Sequence, residues 1–226
     1  METTMLEYNQ TPLKGRVRVC LQWLNSSSLR GKVLVDIGCS NGFLLWQLRN
    51  KGLKQMIGLD PDSRAVHFAK EHNTQAEIIL SKAEKLPLKN GVADIVTLFD
   101  VIEHVGRGME KQVLKEIYRI LKKGGILYLS TPNAHPLVTL LDPAWYVGHR
   151  HYSQKRLLSL LKECGFKVAR YQILGSLWNS VYINWLYIQK WLLRRSNHHN
   201  KSLEEKDDQS FNKPGISTIF LVARKK

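Results

Sequence analysis

Cysteine is scarce in this chain, and its placement excludes two architectures. Cys20, Cys39 and Cys164 are odd in number, far apart and without a C-x-x-C pair. That pattern supports neither a disulfide framework nor a zinc cage, and reads as free thiols of a reducing compartment. Long apolar runs are also missing. The most aromatic stretch, residues 176–195, is interrupted by Asn179, Asn184, Gln189 and Lys190, which argues against a spanning helix. Residues 1–10 lack a basic start followed by an apolar run, so no secretory leader is read there and a cytoplasmic location is expected. Acidic residues are few: 19 Asp and Glu face 34 Lys and Arg, for a formal net charge of +15. Such a field draws phosphate-rich partners, either nucleic acid or an anionic membrane surface. The plain alternative is a solvated basic surface, since the lysines are spread along the chain and no RNA-binding module accompanies them. No internal repeat is present, and 226 residues suffice for one core in one domain, residues 1–226.

The dinucleotide fingerprint G-x-G-x-x-G is absent too, which argues against a pyrophosphate seated on a helix end. What stands in its place is informative. Residues 32–45 read as a buried strand with an acidic tip at Asp36, a turn bracketed by Gly38 and Gly42, and then a helix. A backbone approaches a polar ligand closely only where side chains are absent, and a helix N-terminus offers free N–H groups there. Cys39 and Ser40 lie inside the turn, Cys39 as a small residue that fits. If position 40 needs a positive φ, Ser40 is strained by about 1 kcal/mol. A short apolar strand, residues 55–59, then ends in Asp60-Pro61-Asp62. Asp60 stands 22 positions after Gly38 (60 − 38), about where a carboxylate accepts two hydrogen bonds from a ribose diol. Its other reading is a helix N-cap, with Pro61 opening a helix to about residue 72.

Strand follows helix at regular intervals beyond this point. Strands are expected over residues 76–80, 93–99, 126–130, 166–174 and 216–223. Helices are expected over 109–122, closed by Lys123-Gly124-Gly125, and over 154–164, with Ser153 as N-cap and Gly165 as stop. The alternation predicts parallel βαβ units in an α/β, doubly wound, Rossmann-like sheet of seven mostly parallel strands. Its ligand is expected beyond the carboxyl ends of the strands, where Gly38, Asp60, Ala83 and Asp100 all fall.

Asp36-x-Gly38-x-x-x-Gly42, Asp60, the segment 81–88 and the strand ending at Phe99-Asp100 together resemble the class I S-adenosylmethionine-dependent methyltransferases of the ubiquinone-biosynthesis type. The resemblance covers about residues 31–168, and Ser40 stands where that family usually has glycine. It implies S-adenosylmethionine as cofactor, held by Asp36, Gly38, Cys39, Ser40 and Gly42, by Asp60 and Pro61, by Ala83 and Glu84 at the adenine, and by Phe99 and Asp100. It also implies that the last strand runs antiparallel, in a hairpin with the one before it. The family methylates quinone precursors, sugars, lipids, acids and RNA ends, so it does not name the acceptor. A small-molecule or lipid-like acceptor methylated at oxygen is the first expectation. An RNA end and a non-catalytic S-adenosylmethionine-binding partner are the alternatives.

Chemistry-bearing residues gather after Asp100. His104 is the candidate general base for an acceptor hydroxyl, with Glu103 beside it; the other reading has both residues capping the next loop. Relatives with E-x-x-E-H and a later histidine bind a divalent ion, and this chain offers Asp100-x-x-Glu103-His104 with His149 or His151. His135, Trp145, Tyr146 and His151 are candidates for an aromatic acceptor pocket, and Arg16 and Arg18 sit on a helix before the first strand, where some quinone-type relatives use arginine for a carboxylate. Residues 176–214 read as an insertion before the last strand: a helix carrying Trp178, Val181, Tyr182, Trp185, Ile188 and Leu192 on one face, then a polar mobile loop over 196–214. The helix is either a lid over the pocket or an element lying in a membrane interface.

Overall fold

The computed structural model describes Tyr8 and residues 13–25, 28–189 and 200–226. The chain runs α1 (Gly15–Asn25), β1 (Val33–Ile37), α2 (Phe43–Leu48), β2 (Gln55–Asp60), α3 (Ser63–His72), β3 (Glu77–Leu80), β4 (Ala93–Phe99), α4 (Glu110–Ile120) and β5 (Leu121–Pro132). It continues through α5 (Pro136–Leu140), a 3-10 turn (Pro143–Val147), α6 (Gln154–Glu163), β6 (Phe166–Leu174), α7 (Leu177–Tyr187), α8 (Lys201–Ser210) and β7 (Thr218–Lys225). Seven strands form one sheet in the order β3-β2-β1-β4-β5-β7-β6. The first five are parallel, and β7 runs antiparallel to both β5 and β6. The strand order reverses between β1 and β4, the place where a ligand crevice opens in such sheets.

Side-chain alternation builds the two covering layers. Leu34, Met56, Ile78, Ile95 and Tyr128 face α1, α2 and α3, while Val35, Ile57, Val96 and Leu127 face α4 and α6. Because both faces are covered, β1 is apolar along its whole length except at Asp36. α4 buries Val113, Leu114, Ile117 and Ile120, the helical spacing that seats one stripe on a sheet.

Several expected boundaries shift, the last strand from 216–223 to Thr218–Lys225 among them. The helix expected over 109–122 stops at Ile120, and β5 already begins at Leu121. Gly124 and Gly125 therefore lie at a register irregularity against β4 rather than at a helix stop, between the pairs Ala93–Leu121 and Ile95–Ile126. Part of the polar loop expected over 196–214 is a helix, α8; residues 196–199, like Leu192 of the aromatic face, lie outside the described residues. Polarity misled here because α8 is held by hydrogen bonds and ion pairs rather than by an apolar stripe. The Asn200 side chain caps it by accepting from the Leu203 N–H at 3.2 Å. Asp208 Oδ1 accepts from the Gly15 N–H at 2.6 Å and from Arg18 Nε at 2.8 Å. Glu204 accepts from Tyr182 at 3.0 Å and pairs with Lys14 at 3.3 Å, and Asp207 accepts from Asn179 at 3.1 Å.

These acidic contacts fasten α8 to α1 and α7. Asp208→Ala is expected to cost about 1–2 kcal/mol and to speed amide exchange in residues 201–210 about tenfold, leaving β1 and β4 protected. Unchanged exchange in α8 would contradict this assignment of its anchor.

Candidate functional site

The turn after β1 is strapped to the end of β2. The N–H groups of Gly38 and Cys39 both donate to the Leu59 carbonyl, at 2.7 and 3.0 Å. The Ser40 N–H donates to Asp60 Oδ2 at 2.8 Å, and the Asp62 N–H to Asp60 Oδ1 at 2.9 Å. Each Asp60 oxygen keeps a lone pair for a further donor. Helix α3 is capped by Asp62, whose side chain accepts from the Arg64 N–H at 2.9 Å, so the capping reading belongs to Asp62 and not Asp60. Pro61 precedes that cap.

Close approach explains the glycines. Gly38 has φ 74° and Gly42 φ 80°. A Cβ on Gly38 would collide with Val101, and one on Gly42 with the Asn73 side chain. Ser40 has φ 48° in the same turn, a left-handed conformation that costs a non-glycine residue about 1 kcal/mol. Its bond to Asp60 offsets that strain. Asp100, directly after β4, is also left-handed at φ 54°. Such residues cluster where backbone strain serves a site.

Asp36 is buried at the tip of β1, where Thr97 Oγ1 donates to its Oδ1 at 2.6 Å. Burial pushes its carboxyl up to about 7, against the Thr97 hydrogen bond, which favours the charged form. Cys39 is buried beside it, and burial likewise raises its thiol, consistent with a small packed residue rather than a nucleophile. Ala83 is buried under the segment after β3, while Glu84 and Phe99 are half-buried. All these positions lie along the carboxyl edge of the parallel strands. Two glycines, a polar turn and the carboxyl groups of Asp36 and Asp60 brought together at one edge suit a nucleoside with a charged amino-acid tail.

Beside this edge lies a cavity of about 270 Å³, lined among others by Arg16, Asp100, Glu103, His104, His149 and Tyr187. Its far wall comes from α5, the 3-10 turn and α7, through Val138, Leu141, Ala144 and Ile183. Arg16 pairs with Asp100 at 3.1 Å, while Ser130 Oγ donates to the other Asp100 oxygen at 2.9 Å. Arg18, its neighbour on α1, faces α8 instead. Glu103 is almost fully buried. Its Oε2 accepts from Thr131 at 3.0 Å, and its Oε1 has no hydrogen-bond partner. Burial, reinforced by the Asp100 charge, holds the Glu103 carboxyl well above its ordinary range. His104 is lowered by partial burial and by the neighbouring His149, whose ring centre is 4.7 Å away.

The expected aromatic pocket is only partly assembled. His151 lines the cavity, while Tyr146 is 67% exposed and Trp145 41% exposed on the outer side of the 3-10 turn; neither Trp145, Tyr146 nor His135 is in the lining. Asp142 is the residue that sequence reasoning missed. It accepts from His149 Nδ1 at 3.1 Å and from His151 Nε2 at 2.8 Å. Its only sequence signal is the Asp-Pro that starts the 3-10 turn, which reads as a cap. For a divalent ion, Glu103, His104 and His149 can each bring one donor atom within 4.8 Å of the others. Asp100, the first ligand of the relatives' motif, is turned to Arg16 and Ser130, and His151 is committed to Asp142 and to Thr139 Oγ1 at 3.0 Å. With the Arg16 guanidinium on Asp100, the residues do not assemble the relatives' ligand set.

The raised Asp36 has a thermodynamic consequence. Its folded value of about 7 exceeds the unfolded value of about 4, so its contribution to stability is full below about pH 4 and lost as pH rises through about 7. Asp36→Asn is therefore expected to melt roughly 5 °C above the unsubstituted protein at pH 8 and level with it at pH 4. Parallel melting curves at the two pH values would contradict the buried, neutral Asp36.

Among the described residues no helix is long and apolar enough to cross a membrane. Residues 35–129 match the family model of the methyltransferase domain. The chain is 29% identical over 160 residues to a tRNA U34 carboxymethyltransferase of Cellvibrio japonicus, covering 64% of this chain and 48% of that protein. It is 23% identical over 168 residues to a ubiquinone biosynthesis O-methyltransferase of Acinetobacter baylyi, covering 66% and 69%. The chain spans about half the length of the first curated relatives it matches. Its fold is shared with the crystal structure of an S-adenosylmethionine-dependent methyltransferase from Mesorhizobium loti, at TM-score 0.66 and 16% identity over 97% of this chain and all of that one. Sheet topology, the glycine turn on β2 and the matched segment agree: residues 35–129 match a methyltransferase domain, set in a fold shared with S-adenosylmethionine-dependent methyltransferases.

Proposed function

We propose that this chain transfers the methyl group of S-adenosylmethionine to a small or lipid-like acceptor, at oxygen. The observation that carries the acceptor reading is the cavity of about 270 Å³ beside the glycine turn, roofed by α5, the 3-10 turn and α7. A space of that size admits one ring or a short chain, with apolar walls to bury it and a few polar groups to orient it.

The bound cofactor supplies an already activated sulfonium methyl, so the chain's own residues bind, align and manage one proton. The turn from Gly38 to Gly42 would hold the cofactor's amino-acid end, beside the Asp36 carboxyl. Asp60 would accept from the ribose hydroxyls, and Ala83 and Glu84 would hold the adenine. Phe99 and Asp100 would stand at the boundary between cofactor and acceptor. Arg16 offers a guanidinium to a negatively charged acceptor. His104 and Glu103 edge the cavity as candidates for handling the acceptor's proton.

Helix α7 supports a lipid-soluble acceptor. Ser180, Ile183 and Tyr187 line the cavity, while Trp178, Val181 and Ile188 lie exposed. A lid with an apolar outer face suits peripheral contact with a lipid surface over residues 176–189. The RNA reading draws on the net charge of +15 and on the tRNA-acting relative.

Incubating the protein with methyl-labelled S-adenosylmethionine and a cell extract, then separating lipid, small molecules and RNA, tests the assignment. Label in the organic or small-molecule fraction is expected. Label in RNA would overturn the acceptor class. Cofactor binding without any S-adenosylhomocysteine release would leave a non-catalytic binding partner.

A further inference from the structure

His149 emerges from the fold as the best-supported proton handler, and His104 does not. Its ring is held from both sides of the loop between β5 and α6. The 3-10 turn places Asp142 at its own N-terminus, where Oδ1 accepts from the Ala144 N–H at 2.9 Å. That bond fixes the carboxylate, so that Oδ2 accepts from His149 Nδ1 at 3.1 Å and from His151 Nε2 at 2.8 Å. His151 has a fully buried side chain and bonds Thr139 Oγ1 through its other nitrogen, so it serves as a strut. The His149 backbone N–H is itself tied to the Ala144 carbonyl at 2.9 Å. Burial alone would raise Asp142, but the bonds from His149, His151 and Ala144 outweigh it and hold the carboxylate below its ordinary range. Asp142 is therefore charged at neutral pH.

With Nδ1–H committed to Asp142, the lone pair of His149 sits on Nε2. Nε2 is 3.9 Å from Glu103 Oε1, the buried oxygen that lacks a hydrogen-bond partner, and both residues line the cavity. The 3.9 Å gap is too long for a hydrogen bond. It leaves both atoms free to face a third group in the cavity. His104, by contrast, is only partly buried, and among the described residues no carboxylate holds its ring within hydrogen-bond distance.

Resting on the methyl-transfer reading above, we propose that His149 is the base that takes the acceptor's proton and that Asp142 is the residue that positions it. The acceptor hydroxyl gives its proton to His149 Nε2. The oxygen's electron pair forms the new O–CH₃ bond while the methyl–sulfur bond breaks and its electrons return to sulfur. The products are the methyl ether, S-adenosylhomocysteine and an imidazolium facing Asp142, which then releases its proton to solvent. The arrangement is that of a nucleophile's base oriented by a third group.

Two readouts test it. Nitrogen-15 NMR of the histidine rings in the full chain, without any acceptor, is expected to show His149 as the Nδ1–H form, with Asp142→Asn mixing the two tautomers. In the labelled transfer assay, His149→Gln is expected to lose at least about a hundredfold in rate while binding S-adenosylhomocysteine as before. Asp142→Asn is expected to lose about tenfold in kcat with KM little changed, and His104→Ala less than His149→Gln. An Nε2–H tautomer for His149, undiminished transfer by His149→Gln, or a larger loss from His104→Ala would each overturn the proposal. Loss of transfer in chelator, restored by Mn²⁺, would overturn it too, by making the lone pair of His149 a metal ligand. If the unsubstituted protein methylates nothing, the methyl-transfer reading fails and takes this one with it. If it transfers and His149→Gln does also, only this one fails.

Discussion

Everything at this site hangs on how the turn after β1 is held against the end of β2. Four backbone N–H groups meet there at two acceptors: Gly38 and Cys39 on the Leu59 carbonyl, Ser40 and Asp62 on the Asp60 carboxylate. The turn cannot close so tightly with a Cβ at Gly38, where Val101 from the end of β4 already packs. Three strand ends are thereby locked together at the switch point of the sheet. The same lock forces Ser40 into a left-handed conformation that its bond to Asp60 offsets. Once that corner is fixed, Asp36, Asp60 and Asp100 lie together at the carboxyl ends of β1, β2 and β4.

A second constraint is charge. The chain is strongly basic, yet Asp36 and Asp60 are buried at the strand ends and Asp100, Glu103 and Asp142 line the cavity beside them. Three of them differ in chemical state. Asp36 and Glu103 are pushed up towards the neutral form, whereas Asp142 is held ionised by two imidazoles. Arg16 stands between the cavity and α8, paired with Asp100 and within the field of Asp207. Acids with opposite protonation states in one cavity are the signature of a site arranged for proton management.

The parallel half of the fold was legible because its signals are local. A strand that is apolar throughout except for Asp36, glycines that mark a bare turn, and an acid at the next strand's end identify each other from residue types alone. The end of α4 was misread because Gly124-Gly125 suits a helix stop as well as an irregular strand start, and only pairing with β4 decides. Helix α8 was hidden because its stabilising partners, Lys14, Gly15 and Arg18, are nearly two hundred positions away in sequence. Asp142 was invisible for a related reason. An Asp before Pro reads as a cap, and it does cap, but its second oxygen collects two histidines that only the folded loop brings together.

The most direct check of the central claim is hydrogen–deuterium exchange of the full chain with and without S-adenosylhomocysteine. Protection concentrated in residues 36–42, 60–62 and 81–84, with little change in α4 and α6, is the predicted result. Binding without slowed exchange at the glycine turn, or protection elsewhere on the molecule, would contradict the placement of the cofactor at the locked corner.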